Sequence, residues 1–211
     1  LDIGDAKKED LLRSALGEPS GALADVPLER LSTALGSGNW LVRMLVIGLL
    51  AERNDPRAAR LDLLTPVAED KSPHVRAAAV AGLGHVDDPR AGEVLLRALK
   101  DEDTAIRAAA AAALGELLFP PAVDPLLSLL EAKEGEGNID ELSEVEALQT
   151  ALDGIVVAKR EDLLRAALGQ AEGSLDEVPI QNLVSAFPSA NWMVRRLLIE
   201  LVVQREAPPG S

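Results

Sequence analysis

The arginines of this chain recur in a pattern that carries chemical potential. Arg43, Arg76, Arg107 and Arg195 each follow Val or Ile, and each stands four residues after a polar side chain: Asn39, Ser72, Asp103 and Asn191. Side chains of that kind accept hydrogen bonds from the free N–H groups of a helix's first turn. Each Arg therefore falls at the same place in its own helix. Guanidinium groups repeated along one face admit two readings. They form a basic strip for an anionic partner, or they form an internal ladder, each bridging to Asp or to backbone carbonyls of the neighbouring repeat. Asp70 and Asp101 stand six residues before an Arg, and the planar fork of the guanidinium suits a bridge. We expect the ladder.

Trp40 and Trp192 sit at equivalent positions just inside two helices. Tryptophan is over-represented among residues that anchor partners, but it also closes junctions between helices, and packing across the inter-helix turn is the expectation. An acidic insertion, residues 131–141, brings Glu134 and Glu136 beside Gly135 and Gly137. Its carboxylates could attract Ca²⁺ or a basic partner. The alternation of a calcium loop is missing, so a flexible acidic linker is expected. The helix after it lacks the recurrent Arg and carries Glu144 and Glu146 instead.

His74 and His85 lie about three helical turns apart, roughly 16 Å along the axis, too far to share a metal. Neither has a Ser or Cys at motif spacing, and Gly82-Leu83-Gly84 reads as a helix ending, not a phosphate loop. No catalytic, cofactor or metal site is expected. Aromatics make up 2% of the chain and cysteine is absent, which removes most thiol and tyrosine chemistry. The formal net charge of −14 repels polyphosphate, so nucleic acid is not an expected partner. No apolar run is long enough to span a bilayer, and we expect a cytoplasmic protein. The chain begins at Leu1, consistent with a trimmed polypeptide.

These residues are positioned by repeats. Residues 6–53 align without a gap on residues 158–205, at an offset of 152, with 25 identities in 48 positions. Inside that long repeat lies a shorter one, an Arg-bearing helix preceded by a Pro-initiated helix. Asn54-Asp55-Pro56 and Asp87-Asp88-Pro89 mark the Pro-initiated starts, and Pro120-Pro121-Ala122 is a degenerate third. Helices are expected near 7–17, 25–36, 39–53, 56–69, 72–84, 89–100, 103–117, 121–131, 141–156, 159–169, 176–187 and 191–205. No segment alternates with period two. The expected fold is all-α, a right-handed α-α superhelix of about six stacked repeats. It should form one domain over residues 1–206, with a Pro/Gly linker at 207–211. Ala77, Ala78, Ala81, Ala108, Ala111 and Ala112 are the expected sites of close helix approach.

Residues 70–117, with Val-Arg-Ala-Ala-Ala and Ile-Arg-Ala-Ala-Ala after their caps, resemble tandem HEAT-like repeats of the short Ala-rich kind found in phycobilisome lyases. Asn-Trp-Leu-Val-Arg and Asn-Trp-Met-Val-Arg, at 39–43 and 191–195, are similar to the same pattern. The two long copies, with three helices each, are nearer to an armadillo layout. Some relatives in this broad class attach bilins or excise damaged bases. The resemblance would then imply a pocket richer in aromatics, or a surface richer in basic charge, than this chain has.

The functional expectation is a noncatalytic scaffold that displays the surface of its successive second helices to a protein or peptide, a basic one by charge complementarity. Its Ala/Arg/Leu-rich style fits a bacterial assembly, with the chain a monomer or weak homodimer. The competing expectation is self-assembly through an open edge of the apolar helix 39–53. One comparison bears on the ends of the stack. Met44 and Gly48 of the first long copy become Arg196 and Glu200 in the second, an exposed i,i+4 pair, which marks helix 191–205 as a terminal cap.

Overall fold

The structure is a computed structural model that describes residues 5–133, 142–170, 172–188 and 190–206. All twelve expected helices are present. The first module holds α1 (Asp5–Leu16), α2 (Leu28–Leu35) and α3 (Trp40–Glu52). Three helix pairs follow: α4 (Arg57–Val67) with α5 (Pro73–Gly84), α6 (Pro89–Ala98) with α7 (Thr104–Glu116), and α8 (Val123–Lys133) with α9 (Leu142–Ala158). The last module repeats the first as α10 (Arg160–Leu168), α11 (Ile180–Ala186) and α12 (Trp192–Glu206). No strand occurs among the described residues.

Two helices start later than the sequence pattern suggests. The expected helices 25–36 and 176–187 each open with a short 3₁₀ turn, Leu23–Asp25 and Leu175–Glu177, and become α-helical only after Pro27 and Pro179. A residue before proline is pushed out of the helical region. Val26 and Val178 take extended backbone there and bury their side chains in the core.

The predicted caps are mostly in place. Asn39, Asp103 and Asn191 accept hydrogen bonds from Leu41, Ala105 and Val194 N–H, and Asp88 accepts from Arg90 N–H ahead of Pro89. Ser72 makes no such bond. Its own N–H donates to Asp70. Asp55 does not cap α4 either: Pro56 holds the cap position, and Asp55 pairs with Arg53 at 2.6 and 3.0 Å.

Helices α3, α5, α7 and α9 pack one on the next and form the inner layer. Helices α4, α6 and α8 cover α5, α7 and α9 from the other side, while α1 and α2 cover α3. Helices α1 and α2 pack on α3 at the end where an open apolar edge was expected. The core runs the length of the stack as one cluster, with Leu50, Leu83, Ile106, Leu114 and Leu152 fully buried. No helix could bury such a face alone, and stacking is what stabilises each repeat.

Close approach is set by different small residues from those expected. Of the six alanines, only Ala111 is buried; Ala81 and Ala112 are exposed and the rest are half-buried. The tight points are glycines. A Cβ on Gly84 would lie 2.8 Å from Ala113 Cβ, and one on Gly115 would lie 2.9 Å from Ala151 Cα. Those contacts fix the spacing of α5 on α7 and of α7 on α9 at a value that no larger side chain allows.

Candidate interaction surfaces

The first three arginines form a ladder between repeats. Arg43 holds Asp70 with both Nε and Nη2 at 2.7 Å, and its Nη1 donates to Ser37 O at 2.6 Å. Arg76 repeats the pattern, with Asp101 at 2.8 and 3.0 Å and Asp70 O at 3.0 Å. Arg107 closes it, with Glu144 at 2.5 and 3.0 Å and Asp101 O at 2.9 Å. Each guanidinium thus reaches back to the carbonyl six residues before it and forward to a carboxylate of the next helix pair. The sequence places Asp70 and Asp101 correctly in the ladder, but each Asp serves the preceding Arg with its side chain and its own Arg with its backbone.

Burial alone would raise the Asp70 and Asp101 carboxyls. The bidentate arginine and a backbone N–H, from Ser72 and Asp103 respectively, outweigh burial and hold both below the usual carboxylate range. The Asp101 hydrogen bond in turn raises Arg76 above its ordinary value. Asp70, Asp101 and Arg76 are therefore charged at neutral pH.

Glu144 is the member that the spacing rule misses. It comes from inside the first turn of α9 and not from a preceding turn, and its side chain is fully buried. Lys133 Nζ lies 3.7 Å from the same carboxylate. The visible signal was the acid that replaces the recurrent Arg in this helix, although its role as the ladder's last acceptor follows only from the packing of α7 on α9.

Arg195 differs from its three counterparts. Its Nε donates to Phe187 O and Ala190 O at 3.0 and 2.7 Å, and among the described residues it meets no carboxylate and is exposed. The four arginines therefore do not make a basic strip, since three are consumed in the ladder. Trp40 lies against His74 of the next pair, ring centres 5.0 Å apart. The contact is between repeats and not across its own turn, and Trp40 remains 40% exposed. Trp192 is 48% exposed. Glu134 and Glu136 lie outside the described residues.

The inner layer leaves a surface of distinct character. Two open hollows of about 490 and 560 Å³ lie along it. Met44, Gly48 and Ala81 line the first, and Ala112, Ala147 and Gly154 line the second. Glu52 edges one hollow and Glu116 and Glu146 the other. Apart from the three ladder arginines, α3, α5, α7 and α9 contain no Lys or Arg. Gly48 and Gly154 are notable because a Cβ at either would meet nothing within 4 Å. A glycine inside a helix is about 1 kcal/mol less favourable than alanine, and internal packing does not account for these two.

The cap comparison changes meaning here. Arg196 and Glu200 are indeed solvent-facing, with an Nε to Oε1 distance of 3.0 Å and side chains 70% and 38% exposed. Met44 and Gly48, however, are not covered by the next repeat. They face the hollow, so the exchange changes the groove surface and says nothing about stacking.

Comparison with family profiles agrees with this architecture. The sequence profile of HEAT repeats matches residues 28–115 and 61–139, which together span more than half of the chain. No curated protein matches. Among solved structures, a crystal structure titled as an engineered protein covers 97% of this chain and 92% of its own, at 16% identity and a TM-score of 0.46. Among the described residues, no helix is long and apolar enough to cross a membrane.

Proposed function

Because the chain belongs to the HEAT-repeat family, we propose that it is a noncatalytic scaffold whose inner-layer groove receives a basic, helical segment of a partner protein in the cytoplasm. The observation that carries this is the pairing of Gly48 and Gly154 with an acid-edged groove. The two glycines weaken their helices without relieving any internal clash, and they leave room for another backbone to come close. Glu52, Glu116 and Glu146 supply the charge at the edges, and the ladder keeps the arginines from cancelling it. Complementary charge of this kind speeds encounter and selects the partner's sign.

The probe is a synthetic amphipathic Leu/Lys helix of about five turns, titrated into the full chain by calorimetry, with its Leu/Glu counterpart as control. The Leu/Lys peptide is expected to bind and the Leu/Glu peptide not. Gly48→Leu, Gly154→Leu and Glu116→Lys should each weaken binding by about tenfold or more, about 1.4 kcal/mol. Asp62→Lys and Glu93→Lys, on the exposed outer faces of α4 and α6, should change it little. Equal weakening by groove and outer variants, or no binding, would overturn the proposal.

A further inference from the structure

The duplication inside this chain allows one module to be read against the other. In the first module, two arginines are satisfied by residues that follow it. Arg43 takes Asp70, and Arg53 takes Asp55 through Nε and Nη2 while its Nη1 donates to Val26 O at 2.6 Å. The counterparts in the last module are Arg195 and Arg205. Arg205 Nη1 donates to Val178 O at 2.6 Å, reproducing the Arg53 contact. Its Nε and Nη2, however, are buried without a hydrogen-bond partner among the described residues, and the residue in the place of Asp55 is Ala207. Among the described residues, Arg195 likewise meets no carboxylate such as Asp70 gives Arg43.

The apolar residues tell the same story. Ile47 is 2% exposed, lying where a Cβ on Gly82 of α5 would be 3.7 Å away. Its counterpart Ile199 is 50% exposed. Trp40, 40% exposed, rests on His74 of α5, whereas Trp192, 48% exposed, has no ring contact among the described residues. Trp192, Arg195 and Ile199 are spaced i, i+3, i+7 and so share one face of α12. That face keeps the same residue types with which α3 contacts the α4–α5 pair. A terminal cap would present a polar outer face; this one presents Trp, Ile and an arginine short of its acid.

We propose that this face of α12 is a docking surface for a further helical-repeat pair of the α4–α5 kind, one that brings two carboxylates. One would replace Asp55 and engage Arg205, and the other would replace Asp70 and engage Arg195. A buried guanidinium edge without an acceptor is unfavourable, and the arriving pair removes that deficit while covering Ile199 and Trp192. The partner's first carboxylate stands just before its leading helix and the second in the turn between its two helices, as Asp55 and Asp70 flank α4.

The test extends the full chain by placing a copy of residues 54–117 directly after Arg205, so that the junction repeats the one after Arg53. The appended helices are expected to fold on α12, and their half-life under limited proteolysis should exceed that of the same extension carrying Ile199→Glu by about tenfold or more. Replacing the copies of Asp55 and Asp70 by Ala should shorten it in the same direction. In the unextended chain, Ile199→Glu should leave the thermal midpoint unchanged, which separates docking from folding. Digestion of the appended segment at the same rate with or without Ile199→Glu would overturn the proposal. So would a dimer of the unextended chain, seen by light scattering and abolished by Ile199→Glu, because the face would then belong to a second copy.

Discussion

Arg76 closes on Asp101 with two nearly parallel hydrogen bonds, 2.8 Å from Nε and 3.0 Å from Nη2, across the boundary between one helix pair and the next. Both side chains are 13% exposed. The pair therefore ties repeats together from a position that water barely reaches, and losing one member strands the other. Asp101→Ala should destabilise the chain by about 3 kcal/mol. A double-mutant cycle with Arg76→Ala, followed by urea denaturation, should show a coupling of about 1 kcal/mol or more. Strict additivity would mean that the contact contributes nothing.

Arg43 and Arg195 are equivalent in sequence and unequal in surroundings. Arg43 is 4% exposed and paired with Asp70, whereas Arg195 is exposed and, among the described residues, bonded only to backbone oxygens. Arg43→Ala should lower stability by about 3 kcal/mol and Arg195→Ala by less than about 1 kcal/mol. Thermal denaturation of the two single variants is sufficient to compare them.

Acid should loosen the ladder in a defined window. Asp70 and Asp101 titrate below the normal carboxylate range in the folded chain. The unfolded chain therefore binds their protons more readily. The stabilisation they contribute is complete above the unfolded value, near about pH 4, and is lost as pH falls through the lower folded values. The thermal midpoint should be level with respect to these groups above about pH 5 and decline below about pH 4. Asp101→Asn should begin lower at neutral pH and decline less steeply, as measured by circular dichroism across a pH series.

Glycines of two kinds should respond oppositely. Gly84→Val and Gly115→Val force a side chain into Ala113 and Ala151, and each should destabilise by about 2 kcal/mol or more. Gly48→Ala and Gly154→Ala add a methyl group into open space and should each stabilise by up to about 1 kcal/mol. If all four moved stability in the same direction, packing would not be what distinguishes them.

Much of the fold was legible because it repeats. The caps at Asn39 and Asp103, the recurrent Arg and the proline-opened helices identify twelve helices and their pairing with no long-range information. The spacing of Asp70 and Asp101 also pointed to a ladder. The spacing could not say which atoms of each Asp serve which Arg, because side chain and carbonyl point to different repeats once the helices stack. Nor could it recruit Glu144, which lies 37 residues from Arg107 and reaches it only where α9 packs on α7. Of the six alanines, Ala81 and Ala112 were misassigned for a related reason. Helical periodicity groups residues onto faces, but it does not say which face meets a neighbour and which lines a groove.

The sequence by itself determined the local structure and the repeat, because capping, proline placement and Ala/Leu propensity act over a single helical turn. Tertiary structure decided which equivalent residues are finished and which are not. Arg43 and Arg195 occupy equivalent places in the two copies, yet among the described residues only Arg43 finds a carboxylate, because that acceptor is supplied by the next helix pair. The same stacking turned Gly84 into a spacer and left Gly48 facing an acid-edged groove. Packing geometry, and not residue type, separates the two glycines.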